Sequence, residues 1–215
     1  MDLFSIYRRL LSHFGKQNWW PSISENRKFE VIIGAILTQQ ATWQQVEKAI
    51  KNLHENNLLN PTALSKTNIV KIQNLIRPSG FYKQKTKRIV NFSKYLMKNY
   101  SGDLDKLFNK PLEDVRKELL SLDGIGKETA DSILLYAADK LIFPIDAYTF
   151  RLFERLGVVA KNYDELQKIF HENLPKDLEV YKEFHALIVK LGKTHCKIKP
   201  ECNNCPLTDC SSRKR

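Results

Sequence analysis

Four cysteines crowd the last twenty residues, Cys196, Cys202, Cys205 and Cys210, in the spacing C-x5-C-x2-C-x4-C. Disulfides tie distant segments of secreted chains together, whereas four thiols this close in sequence suit a metal site. The spacing alone fits a [4Fe–4S] cluster or tetrahedral zinc. Fifty residues before the first cysteine, Asp146 stands in "FPIDAYTFRLFERLG". A carboxylate opening a helix can cap it, and Pro144 just ahead suits a helix entry. The same carboxylate can stabilise a developing positive charge, or orient and deprotonate an attacking water. A third stretch, "LDGIGKETADSILLYA", sets Gly124, Gly126 and Lys127 directly before a helical pattern. Glycines permit the positive φ of a tight turn and let backbone N–H groups approach a phosphate, to which a helix N-terminus adds partial positive charge. A plain αα-hairpin with a glycine C-cap would read the same way.

The elements that must position these residues read as helices almost throughout. Phe29, Ile32, Ile33, Ile36 and Leu37 form one apolar face, and Val46, Ala49, Ile50 and Leu53 another. The pattern continues through Ile89, Phe92, Leu96 and Tyr100, through Leu112, Val115, Leu119 and Leu120, and through Phe184, Leu187, Ile188 and Leu191. Breakers such as Asn60-Pro61, Pro78-Ser79-Gly80 and Asn109-Lys110-Pro111 separate them. About a dozen short helices and an all-α fold are expected.

The chain has 215 residues, enough for a sizeable core in one domain or two lobes. Thirty-five Lys and Arg against 24 Asp and Glu give a net charge of +11, which points to a polyanionic partner, nucleic acid first, against a merely solvated lysine-rich surface. No apolar run approaches the ~20 residues of a membrane span. The segment "MDLFSIYRRLLSHFG" is amphipathic without a signal-peptide core, so a first helix and a cytoplasmic, nucleoid-associated location are expected.

In combination and order, "ILTQQATW", "SGFYKQKTKRI", "LDGIGKETA", "IDAYTFRLFERLG" and the terminal cysteines resemble the helix-hairpin-helix/GPD superfamily of DNA base-excision glycosylases, its endonuclease III branch above all. The likeness runs from about residue 25 to Cys210. It implies a two-lobed helical fold: a six-helix domain over 28–137 that contains the hairpin, and a second lobe of 1–27 plus 138–215 that ends in the four-cysteine loop. It favours an iron–sulfur cluster on the cysteines, with zinc the alternative, although the first and last gaps are each one residue shorter than in the usual endonuclease III pattern.

The resemblance also distributes roles. Base excision develops oxocarbenium character on the sugar, and Asp146 matches the carboxylate that stabilises it and activates water. Bifunctional members carry a lysine just before the hairpin's Thr-Ala, and its amine attacks C1′. Here that residue is Glu128, which cannot form a Schiff base. Lys127 is adjacent, but one helical step turns a side chain by about 100°. A monofunctional glycosylase without AP lyase activity is expected.

"WWP", "PSGFYKQK" and "GIGKETADSIL" look like the 3-methyladenine DNA glycosylases of the endonuclease III type. That likeness implies damaged, alkylated purines as substrates. It pairs Trp20 with Trp43 as the aromatic sandwich around a flipped base, with Glu128 in the same pocket. Gln40 matches the side chain that fills the vacated space in the duplex. Gly124, Gly126, Lys127 and Thr129 of the hairpin, and Arg151, are the expected DNA contacts. Lys83, Lys85, Lys87 and Arg88 are expected to form a phosphate-facing surface, with Lys193, Lys197 and Lys199 on the cysteine loop. Plainer roles stand beside these: Trp43 covering the core, Trp19 or Trp20 as a staple ahead of the Phe29 helix, Gln39 and Gln40 as a polar helix end, Arg151 in a surface ion pair.

The expected partner is double-stranded DNA containing damaged bases, met by a monomer. The alternatives are a glycosylase for oxidised pyrimidines or for mismatched or deaminated bases, with or without AP lyase activity, and a DNA-binding module without chemistry.

Overall fold

A computed structural model describes residues 2–208 and 210. Twelve α-helices and one 3-10 turn make up its regular structure, with no strand among the described residues. Among the described residues no helix is long and apolar enough to cross a membrane. The chain divides into two compact units, Trp20–Lys140, and Met1–Trp19 with Leu141–Arg215.

The unit Trp20–Lys140 holds α2 (Arg27–Leu37), α3 (Trp43–Glu55), α4 (Pro61–Lys66), α5 (Ile69–Ile76), the 3-10 turn Arg77–Ser79, α6 (Tyr82–Tyr100), α7 (Leu104–Phe108), α8 (Leu112–Leu120) and α9 (Lys127–Tyr136). That is eight helices where six were expected. The shortest are α4 and α7, six and five residues long. Asn60, which reads as part of a breaker, instead caps α4 and accepts from the Ala63 amide, and Asp103 caps α7 and accepts from those of Asp105 and Lys106. Helix α2 is buried from Phe29 to Leu37, so the other helices wrap it rather than lie beside it.

The unit begins at Trp20 rather than residue 28 because residues 20–24 are fastened to α2. Buried Glu30 accepts the amides of Ile23 (3.1 Å) and Ser24 (2.8 Å) and the Ser22 hydroxyl (2.8 Å). Trp20 lies on Gly34, where a Cβ would come within 2.8 Å of its ring.

The other unit packs α1 (Leu3–Phe14), α10 (Ala147–Arg155), α11 (Tyr163–Asn173) and α12 (Leu178–Thr194). Its core is aromatic: Phe143 stacks on Phe170 at 4.1 Å between ring centres, and Phe153 and Phe184 meet Phe170 edge-on or tilted. Helices α10 and α12 approach closely at Gly192, where any Cβ would overlap the Tyr148 ring.

Candidate functional site

In the unit Trp20–Lys140, α8 and α9 form the hairpin. Arg116 clamps them with a two-pronged bond to Asp131, Nε to Oδ1 at 2.7 Å and Nη2 to Oδ2 at 3.1 Å, and Asp131 is fully buried. Gly124 sits at φ +80, and a Cβ there would overlap the Arg88 side chain, with Cγ at 2.8 Å. Gly126 is different. Its backbone is extended, nothing lies within 4 Å of where a Cβ would project, and it caps α9 with no side chain. The fold requires glycine at 124. At 126 the absent side chain leaves an open approach to the first-turn N–H groups of α9, the geometry of a phosphate seat.

The hairpin forms one wall of an open groove whose other walls carry Gln40, Phe81, Gln84 and Arg88. Gln40 (φ 52) and Phe81 (φ 45) both hold the left-handed conformation that side-chain-bearing residues rarely adopt. Gln40 is exposed, and Phe81 is 59% exposed, an uncommon state for a phenylalanine. Gln39 ties the walls together: its Nε2 donates to the Gly124 carbonyl and the Thr129 hydroxyl, both at 2.9 Å, while its Oε1 accepts from Arg88 Nη1.

This arrangement corrects two expected DNA contacts. Thr129 is buried with its hydroxyl turned to Gln39, so it positions the hairpin rather than meeting a phosphate. Lys85 is 1% exposed, and its ammonium donates to the Leu37 and Ser79 carbonyls at 2.8 and 2.6 Å. Lys83 and Lys87 stay exposed, as do Lys127 and Glu128 in the first turn of α9.

The tryptophans are close but do not form a slot. Trp20 and Trp43 meet edge to face, 5.5 Å between ring centres at 87°, and Trp20 also abuts Tyr136. Trp20 is buried and Trp43 half-buried. Two rings in direct contact leave no room for a base between them. Trp20 is therefore a core residue that backs Trp43, as the staple reading had it.

In the other unit, Asp146 caps α10. Its Oδ1 accepts from the Thr149 amide at 2.7 Å and the Thr149 hydroxyl at 2.8 Å. Oδ2 lies 3.6 Å from His185 Nε2 on α12, and both residues are buried. Burial pushes the Asp146 carboxyl up, but His185 and the two Thr149 donors outweigh it and hold the pKa below the ordinary value. The group is an ionised carboxylate in a nearly dry setting. His185 is 39 residues away in sequence, with no motif to announce it; only the fold-back of α12 brings it in.

Arg151 serves neither expected role. Its Nε donates to the Cys196 carbonyl at 2.8 Å, and its guanidinium stacks on Tyr148 at 5.1 Å. Arg155, one turn on, reaches Cys196 Sγ at 3.1 Å and the Lys197 and Ile198 carbonyls at 2.8 and 2.9 Å. The cysteine loop is thus held to α10 by two arginines.

Cys196 and Cys210 are buried, Cys202 and Cys205 half-buried, and none is in a disulfide. All four line one small cavity with Leu152, Leu191 and Leu207. Arg155, His195, Pro200 and Glu201 complete the lining, and the four thiols fit the ligation of a [4Fe–4S] cluster or of tetrahedral zinc.

An all-helical chain with a glycine hairpin, an ionised carboxylate at a helix start and a four-cysteine loop defines the class of helix-hairpin-helix DNA repair proteins. Residues 33–176 match the model of the HhH-GPD superfamily of base excision DNA repair proteins, and the chain belongs to that family. It is 48% identical over 211 residues to a protein of Methanocaldococcus jannaschii named as a candidate DNA repair glycosylase, covering 96% of this chain and 94% of that one. Among solved structures it is similar to the H. pylori 3-methyladenine DNA glycosylase bound to 1,N6-ethenoadenine, with 30% identity, TM-score 0.79, and 90% of this chain and 98% of that one covered. It is also similar to endonuclease III trapped covalently on DNA, with 25% identity, TM-score 0.82, and 99% and 96% covered. The chain is a DNA glycosylase of base excision repair.

Proposed function

We propose that this glycosylase is monofunctional, releasing damaged and in particular alkylated purines by water attack at C1′. The observation that carries this reading is Asp146, a carboxylate kept ionised by His185 and Thr149 despite its burial. An ionised carboxylate with little competing water is worth most against a sugar that is gaining positive charge, and it can take a proton from the attacking water. Glu128 offers no amine for a Schiff base, so the product is an intact strand with an abasic site.

Alkylation at a purine ring nitrogen leaves the base positively charged and already a good leaving group. Such a base needs a binding surface more than a strong general acid. The half-buried Trp43 ring, backed by Trp20, supplies a face that stacks on bases and attracts cations. Gln40 and Phe81 enter the duplex as the base leaves it, offsetting part of the unstacking cost. Gly126 and the start of α9 take a phosphate without reading sequence. The protein works as a monomer on double-stranded DNA. Cys196, Cys202, Cys205 and Cys210 would hold a [4Fe–4S] cluster, which would tie together the loop that follows α12.

The test is a panel of duplexes carrying 3-methyladenine, 7-methylguanine, hypoxanthine, thymine glycol or a G·T mismatch, scored for released base. Preferential release of the methylated purines is expected. Release of thymine glycol or mismatched thymine with the methylated purines untouched would overturn the substrate assignment.

A further inference from the structure

Lys85 is a buried lysine that no part of the chemistry uses. Burying an ammonium is costly unless its protons are bonded. Its desolvation, together with the charge of Arg88, brings its pKa down to about 8. A helix core position would be filled more cheaply by leucine or methionine, so the charged head is expected to serve the two groups it touches.

Those groups belong to two different elements. Leu37 closes α2, and its carbonyl lies three residues before Gln40. Ser79 closes the 3-10 turn, and its carbonyl lies two residues before Phe81. Lys85 is also one helical turn beyond Phe81, and its own amide donates to the Phe81 carbonyl at 3.0 Å. Gln40 and Phe81 are the two strained, exposed residues on the lips of the groove. Left-handed residues persist only where their surroundings over-determine them.

We propose that Lys85 is a positioning residue for base extrusion: its one ammonium ties the turn that carries Gln40 to the turn that carries Phe81 and fixes the spacing of the two side chains that enter the duplex. The proposal rests on the insertion of Gln40 and Phe81 proposed above. It assigns Lys85 no contact with DNA.

The experiment uses the full chain and two probes. One is a duplex with a single tetrahydrofuran abasic site and 2-aminopurine opposite it, so that insertion registers as fluorescence whatever base the enzyme prefers. The other is the same duplex undamaged. Lys85→Met keeps the stem and loses the donors, and Lys85→Gln is a second variant with a shorter polar head. Gln40→Ala and Phe81→Ala are the references.

Lys85→Met is expected to lose about tenfold in preference for the abasic duplex, the size of a partly lost unstacking contribution. Its fluorescence rise should fall with it, while affinity for the undamaged duplex stays within about twofold. General loosening of the fold would weaken both probes alike, and that result would overturn the proposal. Preference lost in Gln40→Ala and Phe81→Ala but kept in Lys85→Met and Lys85→Gln would refute the role of Lys85 alone. Preference kept in Gln40→Ala and Phe81→Ala would refute the insertion reading and the proposal together. If neither Lys85 variant folds, Lys85 is a folding residue and the proposal is overturned.

Discussion

Asp146 Oδ2 and His185 Nε2 stand 3.6 Å apart, joining the start of α10 to the middle of α12 inside one unit of the molecule. The other Asp146 oxygen is committed to Thr149. One carboxylate thus caps a helix with Oδ1 and keeps Oδ2 beside a histidine.

Asp146→Asn separates these two jobs. Asparagine caps helices about as well as aspartate, so stability should change by no more than about 1 kcal/mol in a urea titration. Single-turnover excision should fall by about 100-fold or more, because the neutral amide can neither balance sugar charge nor accept a proton. Excision intact in Asp146→Asn would mean that Asp146 is a cap and nothing else.

The depressed pKa of Asp146 has a sign that can be checked. A carboxylate whose folded pKa lies below its unfolded value stabilises the fold above the unfolded value and stops doing so as pH falls through the folded one. The Asp146 carboxylate should therefore be protonated only below the ordinary carboxylate range, and the excision rate should show no acid limb from this group near neutral pH. His185→Gln removes the main group that offsets desolvation, so the acid limb should move upward in a pH–rate profile. An unmoved limb would separate His185 from the carboxylate.

Trp20 and Trp43 touch, yet their exposure separates them. Trp20→Ala should destabilise the protein by about 3–5 kcal/mol, as emptying a large buried site does. Trp43→Ala should cost much less in stability and cut excision of methylated purines. Denaturation midpoints and single-turnover rates on the same two variants check both halves.

The two hairpin glycines should fail in different ways. Gly124→Ala meets both a left-handed backbone and the Arg88 side chain, and should cost about 1–3 kcal/mol of stability. Gly126→Ala meets neither and should leave stability within about 0.5 kcal/mol. Its methyl group projects where a phosphate would approach, so DNA affinity should drop. Equal affinity for the two proteins would place the DNA backbone elsewhere.

Much of this was legible in the sequence because apolar spacing is a local signal. The faces of α2, α3, α6 and α12, the hairpin and the four-cysteine loop all followed from residues within a few positions of one another. What stayed hidden was the destination of long polar side chains. Lys85 and Lys87 sit two residues apart in one basic run, but helical rotation buries the first and exposes the second. Arg151 reads as a phosphate contact until the cysteine loop folds over it and its Nε meets the Cys196 carbonyl. Glu30 on α2 carries no local signal of burial, yet three donors from residues 22–24 draw it inward. The helix over 61–66 was hidden because Asn-Pro serves equally as a breaker and as a cap with proline at the first helical position. His185 and Gln39 act across gaps of 39 and 90 residues, to Asp146 and Thr129, and such pairings are set by packing alone.

The absence of an amine at position 128 can be tested by restoring one. Glu128→Lys should yield a borohydride-trapped covalent adduct where the parent protein yields none. No adduct in the variant would mean that position 128 does not reach the sugar.

The most direct measurement of the central claim is single-turnover reaction of the unmodified protein with a 3-methyladenine duplex, divided into three samples: untreated, treated with alkali, and trapped with borohydride. The expected result is released methylated base, strand breaks only after alkali, and no trapped adduct. An adduct with breaks in the untreated sample would show an amine at work, Lys127 being the nearest, and would contradict water attack assisted by Asp146.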